Sequence, residues 1–330
     1  MDVLFIKDYY AKSGYTPEEG ERAAALLKAF QERIPEQTSP MESCSVTEMK
    51  AYLSMLPHKG LCDGFILLAL ARAAYLSGNR EVYIYFTQII ERESIISNLK
   101  RHIIDVLGEE KAAILLRDLP VPSPGAPPDE ALPWTQRLLE RMEDNLSEEE
   151  CRAALTANAH GIPPEAFTRE QDFFQKAPDL TTYLEESHNR AVSTLQEHAD
   201  SGKVWFEQII SRPVVDFVAS NREILGGVLE GDRIYWTKIP YDTVAWLDEK
   251  DRSKKRYYAC HCPMAREVLL QDGESIPGKW CNCTAGFVQQ RFNALFGERV
   301  QVDLLESVLA GDDRCRFAIH VPERFLRRSF

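Results

Sequence analysis

Residues 119–133 read LPVPSPGAPPDEALP, six prolines in fifteen positions. Proline has no backbone N–H and a locked φ, so this stretch is excluded from helix interiors and central strands. It reads as an extended, semi-rigid linker. It divides the chain into a domain over 1–118 and a second part over 134–330. At 330 residues the chain is longer than one core usually serves, which agrees with that division.

The first part is helical throughout. Thr16-Pro17-Glu18-Glu19 is a capping box with proline at the first helical position, and Ala23, Leu26, Leu27, Phe30 and Ile34 then share a face. Ser45 and Glu48 repeat the spacing before Met49, Tyr52, Leu53 and Leu56. A third helix starts near Asp63 and stops at Gly78. REVYIYFTQIIERE (80–93) contains a strand-like YIYF, but its charged ends and helical neighbours predict a helix. Ile96, Leu99, Ile103 and Leu107 predict one more, closed by Gly108.

Beyond the linker, Trp134, Leu138, Met142 and Leu146 mark an amphipathic helix. Ser147 and Glu150 cap another. Leu180, Tyr183, Leu184, Ala191 and Leu195 mark a longer one, and a further helix follows Arg212-Pro213. From about residue 227 the pattern changes. LEGDRIYWTKI pairs a turn at Glu230-Gly231-Asp232 with a β-prone aromatic run. RYYACHC (256–262) alternates like a strand. Residues 299–321 read as a hairpin turning at Gly311-Asp312-Asp313, where the two acids are turn residues. TAGFVQQRFNALFG (284–297) reads as a helix ended by Gly297. The fold class is therefore α+β: an all-helical N-terminal domain, then an antiparallel sheet packed with helices over about 227–322.

Charge and hydropathy exclude some classes. The net charge is −12. No run of clustered cations stands out, RFLRRSF at 324–330 being short, so nucleic-acid binding is not expected. MDVLFIKDYY has no basic n-region and is not a secretory signal. FILLALARAAYL (65–76) is too short to cross a bilayer and carries Arg72. The expectation is a cytoplasmic protein with no membrane partner. Walker, Rossmann, HExxH, GxSxG and kinase signatures are absent. Gly226-Gly227 reads as a turn.

Four of the eight cysteines fall in two Cys-x-Cys pairs, Cys260/Cys262 and Cys281/Cys283, with Cys315 following. Thiols clustered in a chain with no export signal point to metal or reactive-thiol chemistry rather than to disulfides. If 256–262 is a strand, Cys260 and Cys262 project from one face and His261 from the other. Two such pairs offer four thiolates, a tetrahedral set for zinc. Four thiolates also suit an iron–sulfur cluster, although the spacing matches neither common ferredoxin pattern. Cysteine also packs as a small hydrophobe, and Cys315, beside Phe317, Ile319 and Val321, suits that role. Cys281 and Cys283 precede a helix start, where thiolate is favoured, so a nucleophile stays open with His261 as the nearest base. Cys44, Cys62 and Cys151 read as packing residues. His58, His102, His160, His188, His198 and His320 show no metal spacing among themselves. Tyr235, Trp236, Tyr241, Trp246, Tyr258 and Trp280 crowd this region. The pocket candidates are Tyr235, Trp236, Tyr258, Trp280 and Phe287, with core packing the plainer role for about half of the aromatics.

The segment CNCTAGFVQQRFNALFGERVQVDLLESVLAGDDRCRFAI resembles the bacterial four-vinyl-reductase-like domain. The shared features are a cysteine before a helix (Cys281 or Cys283), Ala285-Gly286, Phe296-Gly297 leading to Val300 and Val302, and Gly311-Asp312 with Cys315-Arg316-Phe317. The resemblance covers 257–322. It implies an α/β sandwich with a small-molecule pocket between sheet and helices. In sensors of that family zinc is held by the pre-helix cysteine, the hairpin cysteine, and a Cys and a Glu on the intervening strand. Here Ser307 takes the strand cysteine position and Leu304 the glutamate position, with Glu306 close by. Cys260 and Cys262 stand as replacements. The doubled Cys-x-Cys and Cys262-Pro263 look more like the amino-thiazoline-carboxylate hydrolase-like relatives.

The expected function is a small-molecule-binding or sensor-like protein with structural zinc on Cys260, Cys262, Cys281 and Cys283. Cys315 and His261 are additional candidates. One alternative is a cysteine- or zinc-dependent hydrolase of a small, thiazoline-like substrate. Another is an interaction module stapled by zinc, with the N-terminal helical domain binding a protein partner. Four cysteine ligands fit a staple; three plus water fit catalysis.

Overall fold

The computed structural model describes residues 3–33, 40–56, 63–123 and 125–326. His58 and Cys62 lie outside the described residues. The chain forms two compact units, Met1–Glu93 with Val121–Ala131, and Ser94–Pro120 with Leu132–Phe330. The long helix Arg80–Leu107 supplies residues to both. It joins into one element the two helices read from 80–93 and 96–107. The proline-rich stretch also contributes to both, 119–120 to the second and 121–131 to the first. Among the described residues no helix is long and apolar enough to cross a membrane.

The first unit is all helix. Pro17–Arg33 starts where the reciprocal Thr16–Glu19 box satisfies its first amides, and Val46–Met55 starts at the Ser45–Glu48 box. Asp63 caps Gly64–Leu76 through the Ile66 amide at 2.9 Å. The apolar faces of these helices close over Ile6, Leu27, Phe30, Met49, Leu53, Leu70 and Phe86. The buried Arg92 donates to the carbonyls of Ala126 and Pro127, both at 3.1 Å, and so ties down the proline-rich stretch.

The second unit is α+β. Strands β1 (Val228–Glu230), β2 (Arg233–Thr237), β3 (Val302–Glu306) and β4 (Arg316–His320) form one antiparallel sheet in the order β1-β2-β4-β3. The hairpin expected over 299–321 is present as β3–β4, and the turn expected at Glu230-Gly231-Asp232 joins β1 to β2. Ile234, Ile319 and Val302 align across β2, β4 and β3, as do Trp236, Phe317 and Leu304. This face packs on helix Asn282–Phe296 through Val288, Phe292, Leu295 and Phe296. Gly297 ends that helix in the left-handed region at φ 68°, as its sequence position predicts. A satellite core of Leu195, Val214, Val218, Ile224 and Ile239 joins helices Leu180–Ser201 and Arg212–Ala219.

One local reading is corrected. RYYACHC is not a strand. Residues Arg252–Ala259 form a helix capped by Asp251, and Cys260 is the first extended residue after it. The alternation of RYYACHC is short, and Asp251 ahead of a charged run is a stronger helix start than the alternation is a strand.

A thiol cluster as the candidate functional site

Three turns deliver cysteines to one place in the second unit. The first is the exit from helix Arg252–Ala259, which carries Cys260 and Cys262. It is held by the buried Arg266, whose guanidinium lies between the rings of Tyr257 and Tyr241 at 3.9 and 4.5 Å and whose Nε donates to the Tyr257 carbonyl at 3.1 Å. The second is the 3-10 turn Gly278–Cys281 that leads into helix Asn282–Phe296. The third is the β3–β4 connection, with its 3-10 turn Val308–Ala310 and Gly311 at φ 108°. The second and third turns are in close contact: a Cβ on Gly278 would lie 2.8 Å from the Ala310 Cβ. That approach seats Cys281 against Ser307 and Cys315.

The Ser307 hydroxyl donates to Cys281 Sγ at 3.0 Å, and the Cys281 and Cys315 thiols hydrogen-bond each other. Cys260 is close enough to both to repel their ionised forms, and it is coupled likewise to Cys262. Cys260, Cys281 and Cys315 are buried, and Cys262 is half-buried. Each sulfur also has a polar hydrogen directed at it. Cys260 accepts from the Cys262 amide and Cys315 from the Val308 amide. Cys262 accepts from Trp280 Nε1 at 3.2 Å and from the Met264 and Ala265 amides.

Burial pushes the Cys260 and Cys262 thiols up. Cys281 rises further, first through its bond to Cys315 and then through burial, while the same bond lowers Cys315. Cys281 stands at a helix start, yet its surroundings push its thiol up rather than down. His261 does not serve these sulfurs as a base. Its Nε2–H donates to the Ile239 carbonyl at 2.7 Å, and burial, then Lys238, holds the ring neutral.

The structure thus brings Cys260, Cys281 and Cys315 near one another, with Cys262 beside Cys260. Cys281 and Cys283 do not project together as a strand pair would. Two positions turn a helix by about 200°, which sends the second side chain to the opposite side. Ser307, which completes the cluster, carries no signal of its own; only its strand position in the resemblance pointed to it. Among the described residues, no group of three or more His, Cys, Asp or Glu side chains is arranged so that it could hold a metal ion.

The aromatic candidates do not share one surface. Tyr235 and Trp236 are neighbours on β2 and face opposite sides of the sheet. Tyr235 lies under Arg316 at 4.7 Å, whereas Trp236 packs inward on Phe317. Trp280 is buried edge-on against Trp134. Tyr258 stacks edge-on with Tyr257. Phe287 is half-buried, 5.3 Å from the ring of His160 and 5.1 Å from the Lys238 ammonium. Asp312 takes the Ser307 amide at 2.8 Å, the turn role expected of it.

Residues 242–325 match the model of DUF6144, a family of unknown function. The matched segment includes every cysteine of the cluster. Among curated proteins and solved structures nothing matches the chain.

Proposed function

We propose that the second unit is a small-molecule-binding or sensor-like module stapled by a zinc ion on Cys260, Cys262, Cys281 and Cys315. The observation that carries this reading is the meeting of Cys260, Cys281 and Cys315 in the interior, from three separate turns. The donor chemistry fits. Soft thiolates are what zinc takes in closed tetrahedral sites, and N–H or O–H groups already aimed at the sulfurs stabilise the ionised form. As they stand only the Cys281 and Cys315 thiols bond each other, and the four do not make a closed shell. Loading would displace their protons and draw the sulfurs together.

The resemblance to the four-vinyl-reductase-like domain supports the same place in the fold. Its pre-helix, strand and hairpin positions correspond to Cys281, Ser307 and Cys315, and Cys281 meets both of the others. Placing the sheet and its covering helices as that family's α/β sandwich belongs to the same proposal. The hydrolase alternative is less favoured, because the surroundings of Cys281 push its thiol up rather than down and His261 is bonded to Ile239.

Elemental analysis of protein purified without chelator tests the reading. One zinc per chain is expected, with four thiols slow to alkylate until a chelator is added. A chain with no stoichiometric metal, or with one fast-reacting cysteine in the metal-replete fold, would overturn it.

A further inference from the structure

Cys281 and Cys315 are bonded to each other through their sulfurs, and one short turn holds both. Ser307 opens that turn and donates its hydroxyl to Cys281 Sγ at 3.0 Å. The next residue, Val308, donates its amide to the Cys315 sulfur. The turn is braced in its own right. The Ser307 carbonyl accepts the Ala310 amide at 2.9 Å and the Asp312 amide at 3.1 Å, and the Asp312 carboxylate takes the Ser307 amide at 2.8 Å. The backbone of Cys315 is fixed as well, its carbonyl accepting the Lys238 amide at the end of β2 at 2.9 Å. Cys281 closes the 3-10 turn Gly278–Cys281, which rests on the same connection through Gly278 and Ala310. Two thiols from distant parts of the chain are therefore held face to face, at 5% and 9% exposure. Cys262, by contrast, is turned to Trp280 Nε1 at 3.2 Å.

We propose that Cys281 and Cys315 are a redox pair, converted reversibly to a disulfide by a hydroperoxide. One sulfur attacks a peroxide oxygen, the O–O bond breaks, and the first S–H proton leaves with the displaced oxygen as water or alcohol. The sulfenic acid so formed is attacked by the second sulfur, which makes the S–S bond and releases water with the second proton. Two electrons pass from the thiols to the peroxide, and a dithiol reductant returns them by exchange. Thiols already in contact react with each other in preference to a thiol from solution, because their encounter is made by the fold. Burial restricts the oxidant to small molecules. Such a bond would tie the start of helix Asn282–Phe296 to the residue before β4. It would also withdraw two of the four sulfurs proposed for zinc, so that disulfide and metal exclude each other. The pairing goes beyond the zinc reading and does not rest on it, since the contact is between the two sulfurs themselves.

Mild oxidation of the full chain tests this. The protein is reduced, stripped of metal with a chelator and treated with stoichiometric hydrogen peroxide. Remaining thiols are then blocked under denaturing conditions and the products are mapped by peptide mass. Loss of two thiols per chain is expected, recovered by dithiothreitol, with one cross-linked peptide pair joining Cys281 to Cys315. Cys281→Ser and Cys315→Ser should each abolish that cross-link, and Cys283→Ser should leave it intact. Circular dichroism shows whether each variant has folded, and the wild-type map decides without them. A main cross-link between other cysteines, oxygen added to thiols without a cross-link, or no thiol lost from folded wild type would overturn the proposal. Zinc measured on the unstripped protein keeps the two readings apart. The cross-link in a chain that carries no zinc as purified would sink only the zinc reading. Stoichiometric zinc in a chain whose stripped form gives no cross-link would sink only this one.

Discussion

Ser307 Oγ donates a hydrogen bond to Cys281 Sγ at 3.0 Å, across 26 positions of sequence. Ser307 also accepts the Leu309 amide at 3.2 Å and offers its own amide to Asp312. One side chain therefore shapes the β3–β4 connection and seats the sulfur at the start of helix Asn282–Phe296.

This contact predicts which cysteines matter. Cys315→Ser and Cys281→Ser should each lower bound zinc well below one per chain. Cys283→Ser should leave it unchanged, since Cys283 leaves the helix on the other side. Metal content of the three variants, purified in parallel, checks the assignment. Equal loss from Cys283→Ser would return that residue to the ligand set.

Gly286 predicts a stability effect. A Cβ there would lie 2.3 Å from the Ala157 carbonyl oxygen and 2.5 Å from its amide nitrogen, both backbone atoms that cannot swing aside. Gly286→Ala should destabilise the second unit by about 3 kcal/mol, the upper range for overpacking, despite alanine's better helix propensity. Urea unfolding of the variant gives the number. A neutral or stabilising result would mean that the helix and the Ala157 turn are less closely packed.

Glu223 predicts a pH dependence. Arg316 grips its carboxylate with two bonds at 2.7 and 2.8 Å, and this pairing, against some burial and helped by Thr237, holds its pKa below the usual carboxylate value. A depressed folded pKa contributes stability above the unfolded value of about 4.3, lost as pH falls through the folded one. Glu223→Gln should cost about 1–2 kcal/mol at pH 7, discounted for partial exposure, and almost nothing at the acid end. Urea melts from pH 3 to 7 should show the variant's deficit shrinking with acid; a constant deficit would assign the loss to packing.

Arg92 predicts a protease site. It holds the Ala126 and Pro127 carbonyls, so the proline-rich stretch is tied at its middle. Arg92→Ala should make residues 119–133 the first cut under limited proteolysis, with wild type cut there more slowly. Mass analysis of early fragments decides; identical rates at that stretch would show that the arginine does not secure it.

Local chemistry was legible in the residues alone. The capping boxes at Thr16, Ser45 and Ser147, the stop at Gly297, the β1–β2 turn and the β3–β4 hairpin depend on atoms a few positions apart, and such interactions form whatever the rest of the chain does. The α+β character of the second part follows from the same short-range patterns. The grouping of thiols does not. Cys260, Cys281 and Cys315 arrive from three turns, and their meeting depends on Gly278 touching Ala310 and on Arg266 clamping the 257–266 turn between two tyrosines. Spacing favoured Cys283 because a strand repeats every two residues, but the start of a helix turns that position away.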